Sequence, residues 1–254
     1  GDRFLRAFTK DGYVVGSKQN EEANLWLNPQ CYGVISGAAR GDQGIIAMDK
    51  IYQELCTAHG IELMGPAFKK RGLPVFRMIL FLPGTKENAG IFSQPQGGAI
   101  LAETMLGRGD RAYQYYSNCN PAKMNEQAEI REAEPYVHCQ FTEGKESPFH
   151  GRAHVPWLTG TASTVQVAAV EGILGVKPDY EGLRIDPCIP SWWKELSMKR
   201  VFRGKLLKIK VDNTERVQKG VQKIIINGEE IEGDLIPATK MIEVNEVTVV
   251  MGTK

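Results

Sequence analysis

Ile173-Leu174-Gly175-Val176-Lys177-Pro178-Asp179-Tyr180-Glu181-Gly182-Leu183-Arg184-Ile185-Asp186-Pro187 marks the point at which the chain changes character. Upstream, apolar residues recur at helical spacing between polar loops. Downstream of Pro178 the pattern becomes alternating and β-branched, the signature of half-buried strands. The stretch itself reads as a domain-joining turn followed by a first strand. A helical region followed by a strand-only region implies two units, at 1–178 and 179–254.

Working upstream, the spacing predicts helices over 29–39, 42–59, 88–106, 110–116 and 161–174. Asp42 stands where an N-cap is expected, with Ile46, Ile51 and Leu55 on the apolar positions that follow. Gly107 and Gly175 occupy C-terminal stop positions. Val165, Ala168, Ala169 and Ile173 form the expected buried stripe of the last helix. Long loops remain at 60–87 and 119–154, and loops of that length more often carry function than mere connection. Five helices so separated make a poor closed domain and fit half of a helical barrel better. Downstream, 206–211 and 244–251 read as strands. Ile226-Asn227-Gly228-Glu229 is a hairpin signal, since Asn-Gly supplies both positive-φ positions of a type I′ turn.

Composition narrows the function classes. The 254 residues contain 42% hydrophobic and 24% charged residues, values of an ordinary globular chain. Lys+Arg 31 against Asp+Glu 30 gives a net charge of +1, so no basic excess calls for nucleic acid or an anionic membrane. No apolar run approaches the ~20 residues needed to span a bilayer. Cys31, Cys56, Cys119, Cys139 and Cys188 are odd in number and lack CxxC spacing, as expected of reduced thiols in a cytoplasmic protein with no metal site. The opening Gly1-Asp2-Arg3-Phe4-Leu5-Arg6 has no apolar signal region and no initiator Met, and the chain is expected to be a fragment.

Three stretches carry more polar and glycine detail than packing requires. In Lys86-Glu87-Asn88-Ala89-Gly90, Lys86 and Glu87 can hydrogen-bond sugar hydroxyls at an expected loop-to-helix junction. A plain capping role for Glu87 and Asn88 competes. In Glu134-Pro135-Tyr136-Val137-His138-Cys139-Gln140, the amide of Gln140 offers donor and acceptor to an uncharged sugar. In Trp157-Leu158-Thr159-Gly160-Thr161, a glycine and a free hydroxyl precede a helix, which makes a phosphate cradle without a basic charge. A simple Thr cap with Trp157 as a hydrophobic anchor is the alternative. No Walker lysine is present, so a nucleotide is not expected. Glu87, Glu134, Glu143 and Glu171 are candidates for a general acid by residue type only.

Taken together, Lys86-Glu87-Asn88-Ala89-Gly90-Ile91-Phe92, Gly107-Arg108-Gly109-Asp110-Arg111-Ala112, Glu134-Pro135-Tyr136-Val137, Trp157-Leu158-Thr159-Gly160-Thr161-Ala162, Ile173-Leu174-Gly175 and the segment from Pro178 to Pro190 occur in order. This series resembles the C-terminal part of the cellobiose/chitobiose phosphorylase family, and Phe4-Leu5-Arg6-Ala7-Phe8 is similar as well. The resemblance implies the later helices of an (α/α)6 barrel followed by a small β-sandwich. It implies cleavage of a β-linked disaccharide by inorganic phosphate with anomeric inversion, giving an α-sugar 1-phosphate and a free sugar. Phosphate is then a co-substrate, no cofactor is needed, and the full-length protein is a homodimer.

By position, Thr159 and Gly160 match the family's phosphate-binding pair, Gln140 a donor-sugar contact, and Lys86 and Glu87 the sugar-binding loop. The family's general-acid Asp falls upstream of Phe4, so the resemblance places no catalytic acid in this chain and implies no independent turnover. Three residues depart from the pattern. Gln94 stands where a phosphate-binding His is common, Gly98 where a Trp is common, and Arg77 where cellobiose-type members carry an acceptor-site Glu. Gln94 can still donate to phosphate, but without charge. The competing classes are a non-catalytic carbohydrate-binding or scaffold segment and a hydrolase using the same barrel.

Overall fold

The computed structural model describes residues 1–70 and 77–253. The remainder of the 60–87 loop, 71–76, lies outside the described residues. Contacts divide the chain into two compact units, one of Gly1–Leu106 with Gln114–Gln166 and one of Gly107–Tyr113 with Val167–Lys254. Among the described residues, no helix is long and apolar enough to cross a membrane.

In the first unit, helices run over Leu27–Ile35, Gln43–Glu54 and Gln96–Met105. Trp26, Met64, Ala67, Phe68 and Ala89 make a buried cluster beside them. Several boundaries differ from the sequence pattern. The first helix stops at Ser36, where Gly37 adopts φ +72°. Asp42 holds the N-cap position of the second but makes no side-chain capping bond. Ile46 points outward at 42% exposure, while Ala47, Met48 and Ile51 face inward. That helix ends at Glu54, because Cys56–Thr57 and Gly60–Ile61 turn back as a hairpin. The Thr57 hydroxyl clinches this turn, donating to the Gly60 carbonyl at 2.8 Å and accepting from His59 N–H.

The largest correction concerns 88–106. Only Gln96–Met105 is helical, and Ile91–Phe92 is a strand. Asn88 is no cap: its buried amide accepts from Phe68 N–H at 2.7 Å and donates to the carbonyls of Phe68 and Phe81. A tertiary use of that side chain outweighs the local capping option. Gly107, at φ +75°, takes the left-handed position just after the C-cap Leu106 as expected. The 119–154 stretch is also less loop-like than its sequence reads, holding short turns of helix and the strands Cys139–Thr142 and Ala153–Pro156.

In the second unit, Glu195–Phe202, Lys205–Asp212, Val244–Met251, Val221–Ile226 and Glu229–Ile231 form a five-stranded sheet in that order. Its one parallel pair joins Lys205–Asp212 to Val244–Met251. Alternation buries Leu207, Ile209 and Val211 with Val247, Val249 and Met251 on one face. Asn227 and Gly228 adopt φ +50° and +87°, the type I′ hairpin expected from the sequence. A second, three-stranded sheet contains Val176–Pro178, Gly182–Ile185 and Leu235–Pro237. The chain is thus helix-rich and then strand-rich. The glycine-rich segment 107–112 is structural here. A Cβ on Gly109 would lie 2.1 Å from the Ile189 carbonyl oxygen, and Asp110 accepts from both the N–H and hydroxyl of Ser191.

Candidate functional site

The segment from strand Ala153–Pro156 to helix Thr161–Val167 is held in an uncommon backbone path. Val155 and Trp157 adopt φ +53° and +72°, values that side-chain-bearing residues reach only when surrounding structure enforces them. Two turns of hydrogen bonding then shape the cradle. Thr159 N–H donates to the Trp157 carbonyl at 3.1 Å. The Thr159 hydroxyl accepts from Thr161 N–H at 3.1 Å and shares a 2.5 Å bond with the Thr161 hydroxyl. Gly160 follows with open space around it: a Cβ there would meet only Gln94 Cγ, at 3.9 Å. The helix after it runs to Ile173, close to the expected 161–174, but not as one regular α-helix. Its α-helical part covers 7 residues, and Ala168–Ile173 continues as π-helix.

Gln94 reaches this corner from a different part of the sequence. Its carbonyl accepts from the Thr164 hydroxyl at 3.0 Å, and the preceding Ser93 N–H donates to the Gln140 carbonyl at 2.9 Å. The neighbouring Gln96 is fully buried and fixes the turn, bonding Ile61 through both ends of its amide and the Phe92 carbonyl as well. At Gly97 the backbones of two helices come together, since a Cβ there would stand 2.6 Å from the Thr164 carbonyl group. Thr159, Gly160, Gln94 and Gln140 are therefore tied into one region by direct or adjacent contacts.

Lys86 and Glu87 sit in a tight turn closed by the Thr85–Asn88 bridge, not at a helix start. Lys86 takes φ +47°, and its ammonium lies 5.2 Å over the Phe81 ring. Gly90 is required below it, as a Cβ would meet the Lys86 carbonyl oxygen at 2.5 Å. Glu87 Oε2 is buried without a hydrogen-bond partner among the described residues. A carboxylate oxygen in that state is an acceptor in want of a donor.

Two supporting residues carry no motif in the sequence. Glu143 is 5% exposed, and its Oε1 lies 2.5 Å from His154 Nε2 while Oε2 accepts from the Ser147 hydroxyl. The His154 ring stacks on Phe141 at 4.9 Å and 8°, so the pair clamps strand Ala153–Pro156 onto Cys139–Thr142. Arg131, equally buried, donates to the carbonyls of Ala133, Glu134 and Val137 and holds the loop before Gln140. No local periodicity announces either role, because both partners lie across a loop.

A small cavity of about 30 Å³ lies under this sheet, lined by His59, Ser93, Cys119, Arg131, His138 and Cys139 among others. That is room for about one water and not for a sugar. Burial pushes the Cys119 thiol up to about 12 and depresses the imidazoles of His59 and His138. No disulfide joins any of the five cysteines among the described residues. No cluster of three or more His, Cys, Asp or Glu among the described residues is placed to hold a metal.

The Thr159 hydroxyl and the open backbone at Gly160 thus lie beside Gln94. Residues 1–175 match the glycosyl hydrolase 94 superfamily catalytic domain, and the chain belongs to that family. Residues 176–232 match the glycosyl hydrolase family 65 C-terminal domain. The chain is 39% identical to an N,N'-diacetylchitobiose phosphorylase of Vibrio furnissii over 99% of its own length and 31% of the relative's. A Vibrio proteolyticus protein of the same description is equally similar, again with 31% of its length covered. A solabiose phosphorylase of Paenibacillus borealis is 32% identical over 93% of this chain and 31% of that protein. The chain thus spans about a third of the length of these relatives. An α-mannosidase structure from Bacteroides thetaiotaomicron aligns over 89% of this chain and 24% of its own, at 13% identity and a TM-score of 0.31.

Proposed function

We propose that this chain supplies the phosphate-facing rim and the C-terminal β domain of an inverting disaccharide phosphorylase. Its substrate class is a β-linked disaccharide of the cellobiose or N,N'-diacetylchitobiose type. In this reading residues 1–178 belong to an (α/α)6 barrel and residues 179–254 form a β-sandwich. The observation that carries it is the meeting of Gln94 with Gly160 beside the Thr159 hydroxyl. Inorganic phosphate is the nucleophile and needs no second carboxylate to activate it. Thr159 and Gln94 donate hydrogen bonds to it, and Gly160 lets its oxygens approach the backbone. Gln140, Lys86 and the buried oxygen of Glu87 face the sugar, Glu87 accepting a hydroxyl. The proton donor to the leaving oxygen lies outside this chain, which binds without turning over.

Titration of the chain with inorganic phosphate, followed by calorimetry, tests the assignment. Thr159→Val is expected to weaken phosphate by about tenfold, as fits a hydrogen bond to a charged group. Thr159→Ser is expected to restore most of the loss. Equal phosphate affinity in the chain and in Thr159→Val would remove Thr159 from the site, and measurable phosphorolysis by the chain alone would refute the external proton donor.

A further inference from the structure

The Trp157 side chain is 67% exposed although it stands two residues from the Thr159 hydroxyl. It does not stand alone: Tyr136 beside it and Leu158 after it are exposed as well, and exposed apolar groups that adjoin mark interaction sites more often than scattered ones do. Its backbone is held at φ +72°, and Val155 two residues before it is at φ +53°. The ring is also oriented. Its indole N–H donates to Glu134 Oε1 at 3.1 Å, and Tyr136, 72% exposed, meets it edge-on with centroids 6.0 Å apart. Its own backbone N–H and the same indole N–H keep the Glu134 carboxyl below the usual carboxylate range, so it stays ionised.

An oriented, open indole beside a fixed carboxylate is chemically suited to one class of ligand. A pyranose ring offers an apolar C–H face to an aromatic surface and an edge of hydroxyls to a neighbouring acceptor. A phosphate or a metal would use the carboxylate differently and gain nothing from the ring. An apolar peptide would have to bury the charge of Glu134 without compensation.

We infer that Trp157, Tyr136 and Glu134 form a sugar-stacking platform at the edge of the Thr159–Gly160 loop, with Trp157 under the ring face and Glu134 accepting a hydroxyl. The platform rests on the carbohydrate reading above and extends it to residues which that reading leaves unassigned. Because Trp157's own carbonyl accepts the Thr159 N–H, a sugar seated on the indole is mechanically continuous with the phosphate cradle.

The test is a calorimetric titration of the chain with N,N'-diacetylchitobiose, with cellobiose and with inorganic phosphate. Saturable binding of either disaccharide is expected, with affinity lowered at least fivefold in Trp157→Leu and largely kept in Trp157→Phe. Tyr136→Ala, at a more exposed position, provides an independent variant and is expected to lose at least twofold; near-ultraviolet dichroism checks that each variant is folded. Disaccharide affinity unchanged in both Trp157→Leu and Tyr136→Ala would overturn the platform. Phosphate binding without any effect of disaccharide would also overturn it, while leaving the phosphate site standing. Loss of both bindings would instead bring down the functional reading together with the platform.

Discussion

The hydroxyl of Thr164 donates to the carbonyl of Gln94 at 3.0 Å, joining the helix after the Thr159–Gly160 loop to the turn that carries Gln94. Each residue alone is ordinary. Their bond sets the distance between an amide and an open glycine, and that distance is what a phosphate would read.

Gly97 sets how closely these two segments approach. Gly97→Ala places a methyl 2.6 Å from the Thr164 carbonyl group, where backbone and not a pliable side chain must yield. Overpacking of this kind costs about 1–3 kcal/mol. Denaturant unfolding of the variant is expected to show that loss, and phosphate affinity is expected to fall with it because Gln94 moves away from Gly160.

Gly160 behaves oppositely. A Cβ there makes only an ordinary contact with Gln94 at 3.9 Å, so Gly160→Ala is expected to stay within about 0.5 kcal/mol of the parent in stability. In the proposed reading, its methyl occupies the open space that phosphate would enter. Calorimetry is expected to show affinity reduced by about tenfold with the melting temperature nearly unchanged. A normal phosphate affinity would exclude Gly160 from the cradle.

Gln94→His would convert a neutral donor into a titrating one. An imidazole of ordinary pKa, about 6.5, gains charge as pH falls through that value and then forms a charge-assisted bond. Relative to the parent at each pH, phosphate binding to Gln94→His is expected to strengthen between about pH 7.5 and 5.5. Comparison at equal pH removes the titration of phosphate itself.

Acid stability follows from three half-buried imidazoles. Burial lowers the pKa of His59, His138 and His150, and His59 and His150 also meet edge-on at 4.9 Å. The unfolded chain then binds more protons than the folded one once pH falls below about 6.5. Stability present above that pH is expected to be lost progressively on acidification through the lower folded values. Thermal melts between pH 8 and 5 check the slope, and His59→Asn is expected to flatten it.

Much of the second unit was legible because strands speak through alternation and turns through special residues. Asn227-Gly228 demands its hairpin wherever it is placed, and the strands at 206–211 and 244–251 appear where the pattern put them. In the first unit, helix positions were readable and helix ends were not. Asn88 looks like a cap until Phe68 and Phe81 are brought beside it, and Thr57 with Gly60 turns back a helix whose apolar spacing continues.

The candidate site divides along the same line. Thr159 and Gly160 are neighbours in sequence, so their hydroxyl and bare backbone can be recognised together, and Gln140 and Lys86-Glu87 by their motifs. The Glu143–His154 clamp, the Arg131 hold on its loop and the platform around Trp157 leave no such mark. The clamp and the platform depend on atoms from distant parts of the chain, and the Arg131 hold depends on how the next few residues fold back. By itself the sequence determined where helices give way to strands, and it offered Thr159, Gly160, Gln140, Lys86 and Glu87 as candidates by residue type and motif. Only the tertiary structure decided that Gln94 faces Gly160, that Glu87 keeps a bare buried oxygen and that Trp157 stands open. Those outcomes depend on long-range packing and hydrogen bonds, which no local pattern of residues encodes.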